Sequence, residues 1–198
     1  MTSAVTIIAG GGANIASLVF ALERLGASCE LTADADKIRA AERVILPGVG
    51  AAADAMEKLR EARLDEVLPS LTQPLLGICL GMQLLFDSSA EDDAECLGII
   101  CGRAKLFEAA DERPVPHMGW NRIRIIRAAS LLNGIADGSY FYFVHSYALD
   151  VSPATVAATD YGRDFSAIVR QDNFMGTQFH PERSGEAGSR LLKNFLTI

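Results

Sequence analysis

Leu75-Leu76-Gly77-Ile78-Cys79-Leu80-Gly81 is an apolar run that ends in a cysteine held between glycines. Leu75 to Ile78 suits a short strand buried on both faces. The sequence after Cys79 turns helical, so the cysteine is expected at a sharp strand-to-helix corner. The same unit recurs upstream. Val5 to Ala9 runs into Gly10-Gly11-Gly12, and Asn14 is placed to cap a helix. Ile15, Leu18, Val19, Leu22 and Leu25 share one face of that helix, and Gly26 stops it. Val44-Ile45-Leu46 breaks at Pro47-Gly48-Val49-Gly50, and helical sequence then runs to near Pro69. Short apolar strands alternating with helices predict an α/β fold, with a mostly parallel sheet flanked by helices.

The second half has another texture. Arg122 to Ile126 alternates with period two, while Tyr140 to Val144, Phe165 to Val169 and Met175 to Phe179 are β-prone. A last helix is expected from Glu186 to Leu196, with Ala187, Leu191 and Phe195 on one face. An antiparallel portion is therefore expected in the C-terminal half. No repeat, low-complexity tract or linker divides the 198 residues, so a single domain over 1–198 is expected. Glu91-Asp92-Asp93 reads as an exposed acidic loop.

About half the residues are apolar, 49%, enough to bury a real core. The net charge of -7 argues against a nucleic-acid partner, whose phosphates want a basic face. Arg122, Arg124 and Arg127 form the densest basic cluster and read as a solvated face. The first positive charge is Arg24, and no apolar run is long enough to span a membrane. A soluble cytoplasmic protein without a membrane partner is the expectation. The four cysteines include no Cys-x-x-Cys pair and none at zinc spacing from a histidine, so no metal and no cofactor are expected. Cys29, Cys96 and Cys101 read as small buried residues.

Cys79 has the setting of a nucleophile. A helix N-terminus favours a thiolate, and the amide after the nucleophile can face an oxyanion. A thiol nucleophile needs a base, and the base needs an orienting group. His180-Pro181-Glu182 offers both, because residues two apart on extended chain point to the same side. Pro47-Gly48-Val49-Gly50 ends a neighbouring strand, where glycines free the backbone to turn amides toward an anion. Each element alone has a plain structural reading: a small core residue, a surface turn, an ordinary strand-to-helix turn.

Taken together, these elements resemble the class I glutamine amidotransferase family, of flavodoxin-like architecture. The resemblance rests on Leu46-Pro47-Gly48-Val49-Gly50, on Pro74 to Phe86 around Cys79, and on Pro116-His117-Met118-Gly119-Trp120-Asn121. It rests also on Phe141-Tyr142-Phe143-Val144-His145-Ser146-Tyr147 and on Gln178-Phe179-His180-Pro181-Glu182. It implies a catalytic triad of Cys79, His180 and Glu182 that releases ammonia from glutamine. It further implies oxyanion donors from Gly48, Val49 and Leu80, and a glutamine head group held by Gln83, Ser146 and Tyr147. It implies a heterodimer with a (β/α)8-barrel cyclase subunit that takes up the ammonia. Asn14, His117, Trp120 and Arg183 would lie at that interface. The Asp-Tyr that the family carries after the first strand is replaced here by Ala9-Gly10.

Two other readings fit the same residues. Gly10-Gly11-Gly12 with Asp34 resembles the start of a dinucleotide fingerprint, although Ile15 stands where its third glycine belongs. A cysteine hydrolase that acts alone would share the corner at Cys79 without any ammonia transfer. Read without the family, His117 is a packed turn residue, His145 a satisfied core histidine and Trp120 a core aromatic.

Overall fold

The computed structural model describes residues 3–9 and 15–198. Gly10-Gly11-Gly12 and the cap expected at Asn14 lie outside the described residues. Among the described residues the main sheet has eight strands. β1 (Ala4–Ile8) pairs in parallel with β2 (Ser28–Thr32) and β3 (Val44–Gly48). β3 pairs in parallel with β4 (Leu75–Cys79), and β4 with β13 (Phe174–Thr177). Beyond β13 the sheet turns antiparallel through β12 (Asp164–Gln171), β11 (Thr155–Asp160) and the short β8 (Arg124–Ile125). This is the expected arrangement, parallel first and antiparallel toward the C-terminal half.

Period-two alternation sorts the core into two layers. Ile7, Ile45, Leu76 and Ile78 face a cluster with Leu18 and Leu22 of α1 (Ile15–Arg24) and Leu191 and Phe195 of α6 (Gly185–Phe195). Ile8, Val44, Leu46 and Leu75 face the other way. They meet Ile38 of α2 (Ala35–Ala40), Met56 and Leu59 of α3 (Ala52–Glu61) and Leu64 of α4 (Leu64–Val67). Strands this apolar on both faces are stable only between two helical layers.

Two smaller sheets flank the carboxyl end. β5 (Phe86–Ser89), β6 (Ile100–Leu106) and β10 (Tyr147–Leu149) form one, and β7 (His117–Arg122) with β9 (Tyr140–His145) the other. The single strand expected from Arg122 to Ile126 is therefore split. Ile123 is buried, and its N–H and C=O are taken by Ser139 and Gly138, so the chain passes from one sheet to the next at that residue. The arginine cluster is spent locally. Arg124 pairs with Asp164 at 2.6 Å, Arg127 donates to the carbonyls of Ala154 and Arg170, and Arg122 lies over the Tyr140 ring.

The corner after β4 is built by close backbone approach. α5 (Leu80–Gln83) begins at once, and Cys79 takes φ 55 and ψ −112, a conformation a non-glycine residue adopts only when its surroundings hold it there. A side-chain carbon on Gly77 would stand 2.6 Å from the Gly81 carbonyl oxygen, and one on Gly48 2.6 Å from the Gly81 amide. On Gly81 it would overlap the Leu46 carbonyl oxygen. Gly81→Ala must therefore push β3 away from the corner. It is expected to cost about 3 kcal/mol in denaturant unfolding; unchanged stability would contradict this packing.

Candidate active site

Three neighbouring strands end together. Gly48 closes β3 in register with Cys79 at the end of β4, and β13 lies on the other side of β4. The carboxyl edge of a parallel sheet is where such folds place their ligands. Cys79 is almost fully buried, and its Sγ lies 3.8 Å from the Val144 carbonyl oxygen and 3.9 Å from Gln178 Nε2. A cavity of about 320 Å³ opens on it, lined among others by Val49, Leu80, Gln83, Glu91, Ser146, Tyr147 and His180. The structure thus brings most of the residues named from sequence to one cavity. Gly48 lies just behind, lining a smaller cavity with Val49, His180 and Glu182.

His180 and Glu182 meet by a turn, not by extended chain as expected. His180 is extended, and Pro181–Arg183 then forms a single 3-10 turn. His180 Nδ1 lies 2.8 Å from Glu182 Oε1. Ser184, which sequence reading passed over, secures the turn: its Oγ donates to the His180 carbonyl at 2.7 Å and accepts from the Tyr142 amide at 3.0 Å. The His180 amide in turn donates to the Tyr142 carbonyl. Both acid and base are almost fully buried, and among the described residues neither His180 Nε2 nor Glu182 Oε2 has a hydrogen-bond partner. With Nδ1 committed to the carboxylate, Nε2 is the nitrogen left to exchange a proton. Burial pulls the His180 pKa down, but Cys79 and Glu182 outweigh it and raise the value to about 10. An imidazolium is the favoured state wherever the sulfur beside it is ionised, and the proton belongs to the pair.

Gln83 is buried, and its side-chain nitrogen donates to the Tyr147 carbonyl at 2.9 Å and to Gln178 Oε1 at 3.0 Å. Its amide oxygen is what remains for a ligand. The Tyr147 carbonyl also takes His145 Nδ1 at 2.7 Å, so it has no lone pair left to offer. Glu91 departs from the expected exposed loop. It is half-buried, lines the cavity, and its Oε2 accepts the Ala52 amide at 2.9 Å, while Asp92 and Asp93 are exposed. Burial pushes its pKa up, with the Ala52 bond opposing.

The residues expected at an interface divide. Trp120 is 55% exposed and packs edge-on to Tyr142, over which the exposed Arg183 guanidinium lies at 4.7 Å. These three share one surface beside the His180 turn. His117 is a correction: it is 4% exposed, stacked on Tyr161 and Phe143, with Nδ1 3.2 Å from His145 Nε2. Its alternation along β7 turns it inward while Trp120 points out. Asn14 lies outside the described residues. Cys101 is exposed rather than buried, and Cys29 and Cys96 are half-buried, with burial pushing the Cys96 thiol up to about 11. Among the described residues no group of three metal-binding side chains comes together, and no helix is long and apolar enough to cross a membrane.

The Glutamine amidotransferase class-I family profile matches residues 8–198. The imidazole glycerol phosphate synthase subunit HisH of Xylella fastidiosa strain Temecula1 is 52% identical over 194 residues, covering 98% of this chain and 97% of its own. The corresponding subunit of Vibrio cholerae serotype O1 is 46% identical over the full length of both. Among solved structures, one described as a glutamine amidotransferase superposes with a TM-score of 0.73 at 17% identity, covering 98% of this chain and 99% of that one. PurLQS from Thermotoga maritima gives 0.73 at 19%, over 100% and 99%. At such identities the structures speak for the fold alone.

The buried histidine pair generates a test. Burial lowers the His117 pKa to about 4 and that of His145 to about 3, with the charges of His117, His180 and Arg163 adding to the second. The unfolded chain protonates near 6.5 and the folded one does not. The contribution of this pair is therefore full above that value and falls as pH drops toward 4, by roughly 3 kcal/mol for His117 alone. Unfolding midpoints of the parent and of His117→Gln across this window should show a shallower loss in the variant; parallel curves would contradict the neutral buried state.

Proposed function

This chain belongs to the class I glutamine amidotransferase family, and we propose that it is the glutaminase subunit of an imidazole glycerol phosphate synthase, serving histidine biosynthesis. The observation that carries the reading is that His180, 2.8 Å from the buried Glu182, lines one cavity with Cys79 at its strained corner. The full-length likeness to HisH subunits supports the choice within the family. In those relatives' name lies a second subunit. The partner we propose is the cyclase, a (β/α)8 barrel, joined as a heterodimer at the face that carries Trp120 and Arg183.

The chemistry follows from the groups in place. His180, held by Glu182, keeps the proton of Cys79, and the thiolate attacks the side-chain amide carbonyl of glutamine. The amide of Leu80 and the Gly48–Val49 peptide donate to the oxyanion. His180 then protonates the departing nitrogen, leaving ammonia and a glutamyl thioester on Cys79. Water, deprotonated by His180, cleaves the thioester to glutamate and restores the thiol. Gln83 and the Ser146–Tyr147 stretch hold the amino-acid head group. The saturated Tyr147 carbonyl limits that stretch to its other polar groups.

Two experiments test the reading. In a complex with the cyclase, Cys79→Ala and His180→Ala should each lower kcat by about 10⁴ or more, with Glu182→Gln roughly a hundredfold less damaging. A Cys79→Ala enzyme at near parental rate would overturn it. Val49 is bulkier than glycine, and a resting peptide turned away from the cavity leaves the lone chain one oxyanion donor short, about 3 kcal/mol or a hundredfold in rate. Glutaminase kcat is thus expected to be low for the chain alone and highest with cyclase and its nucleotide substrate together. Equal kcat in both would favour a hydrolase that acts alone.

A further inference from the structure

Gln178 is fully buried, one residue past β13, and plays no part in the steps above. The direction of its hydrogen bonds is nevertheless dictated from outside. A backbone carbonyl can only accept, and that of Tyr147 accepts from His145 Nδ1 at 2.7 Å and Gln83 Nε2 at 2.9 Å. Gln83 must therefore present its NH2 group to Tyr147, and the second hydrogen of that group goes to Gln178 at 3.0 Å. Only an oxygen can receive it. Gln178 is thereby obliged to turn its Oε1 to Gln83 and its NH2 toward Cys79 Sγ, 3.9 Å away.

The far side of the carbonyl is polarised the same way. Asn121 Nδ2 lies 3.4 Å from His117 Nε2, and His117 Nδ1 lies 3.2 Å from His145 Nε2. A neutral imidazole has one donor and one acceptor. With His145 Nδ1 donating to Tyr147, its Nε2 must accept, so His117 donates through Nδ1 and accepts through Nε2. Donors on both sides converge on one oxygen, which leaves neither Gln83 nor Gln178 free to flip.

We infer that Gln178 is a positioning residue for the nucleophile: its side-chain N–H is a fixed donor to the Cys79 sulfur, steadying the thiolate before attack and again as it leaves the thioester. Sulfur carries negative charge at those two moments, and an amide, unlike His180, gives up no proton in between. The Val144 carbonyl, 3.8 Å from the sulfur, can only accept and so favours a sulfur that carries hydrogen; Gln178 opposes it. The inference rests on the assignment of Cys79 as nucleophile.

Two full-chain variants separate this role from a merely structural one. Gln178→Glu keeps an oxygen for Gln83 and sets a carboxylate against the sulfur in place of the donor, which lifts the profile furthest. Gln178→Met removes both at similar volume. The rate of Cys79 alkylation by iodoacetamide is followed across a pH series by peptide mass spectrometry, which separates Cys79 from the other three thiols. At neutral pH both variants should alkylate about tenfold or more slowly than the parent, the loss of one charge-assisted hydrogen bond, and their profiles should lie at higher pH. A residue that only holds Gln83 in place would leave the Gln178→Met profile on the parent's and raise KM for glutamine alone. A Gln178→Met profile that superimposes on the parent's in the folded variant, with Cys79→Ala inactive, overturns the inference and leaves the nucleophile standing. An active Cys79→Ala overturns the nucleophile and the inference with it.

Discussion

Backbone against backbone at the corner of Cys79 is the constraint on which the rest of the site depends. Gly81 presses on the Leu46 carbonyl with no room for a side chain, and Gly48 and Gly77 close the same contact from either side. This contact seats the end of β4 against the end of β3 and keeps Gly48 in register with Cys79. It also holds Cys79 at φ 55, which carries the sulfur out of the strand direction and into the cavity. A larger residue at any of the three glycines would force these backbone segments apart. The two helical layers, in turn, hold β3 and β4 flat against each other, so core packing is what maintains the strained torsion.

Around the sulfur, charge is managed by burial and pairing. The His180–Glu182 pair is desolvated, and among the described residues each partner keeps one atom without a hydrogen bond, Nε2 and Oε2. Orphaned buried polar atoms cost stability and persist where function uses them. A few residues away the opposite arrangement holds. His117 and His145 are buried without a carboxylate and stay neutral, each fixed in one tautomer by its neighbours. One fold thus raises the pKa of one histidine and lowers that of two others nearby, separated by which of them has Cys79 and Glu182 beside it.

Much of this was legible in the sequence. The corner at Cys79, the alternating strands and helices, and the glycine loop after β3 follow from composition and period, because each is a local demand on the backbone. The His–Pro–Glu element was legible as residues but not as geometry: the turn that joins His180 to Glu182 depends on Ser184 and on the backbone of Tyr142, which belong to other contacts. Glu91 read as solvated loop because nothing local reveals that it caps α3 from the cavity side. His117 was drawn toward the surface by resemblance, whereas period two along β7 already turned it inward. Gln178 was passed over although a fully buried amide in an apolar run signals a committed hydrogen-bond network.

The claim that most of this depends on is that the Cys79 sulfur becomes acylated. Acid-quenched samples of the chain turning over glutamine in complex with the proposed cyclase partner, digested and read by mass spectrometry, address it directly. The account predicts a glutamyl adduct on the peptide that carries Cys79, released by hydroxylamine and absent from peptides carrying Cys29, Cys96 or Cys101. Turnover with an unmodified Cys79 peptide under conditions that trap the adduct in Glu182→Gln, or an adduct on another cysteine, would contradict it.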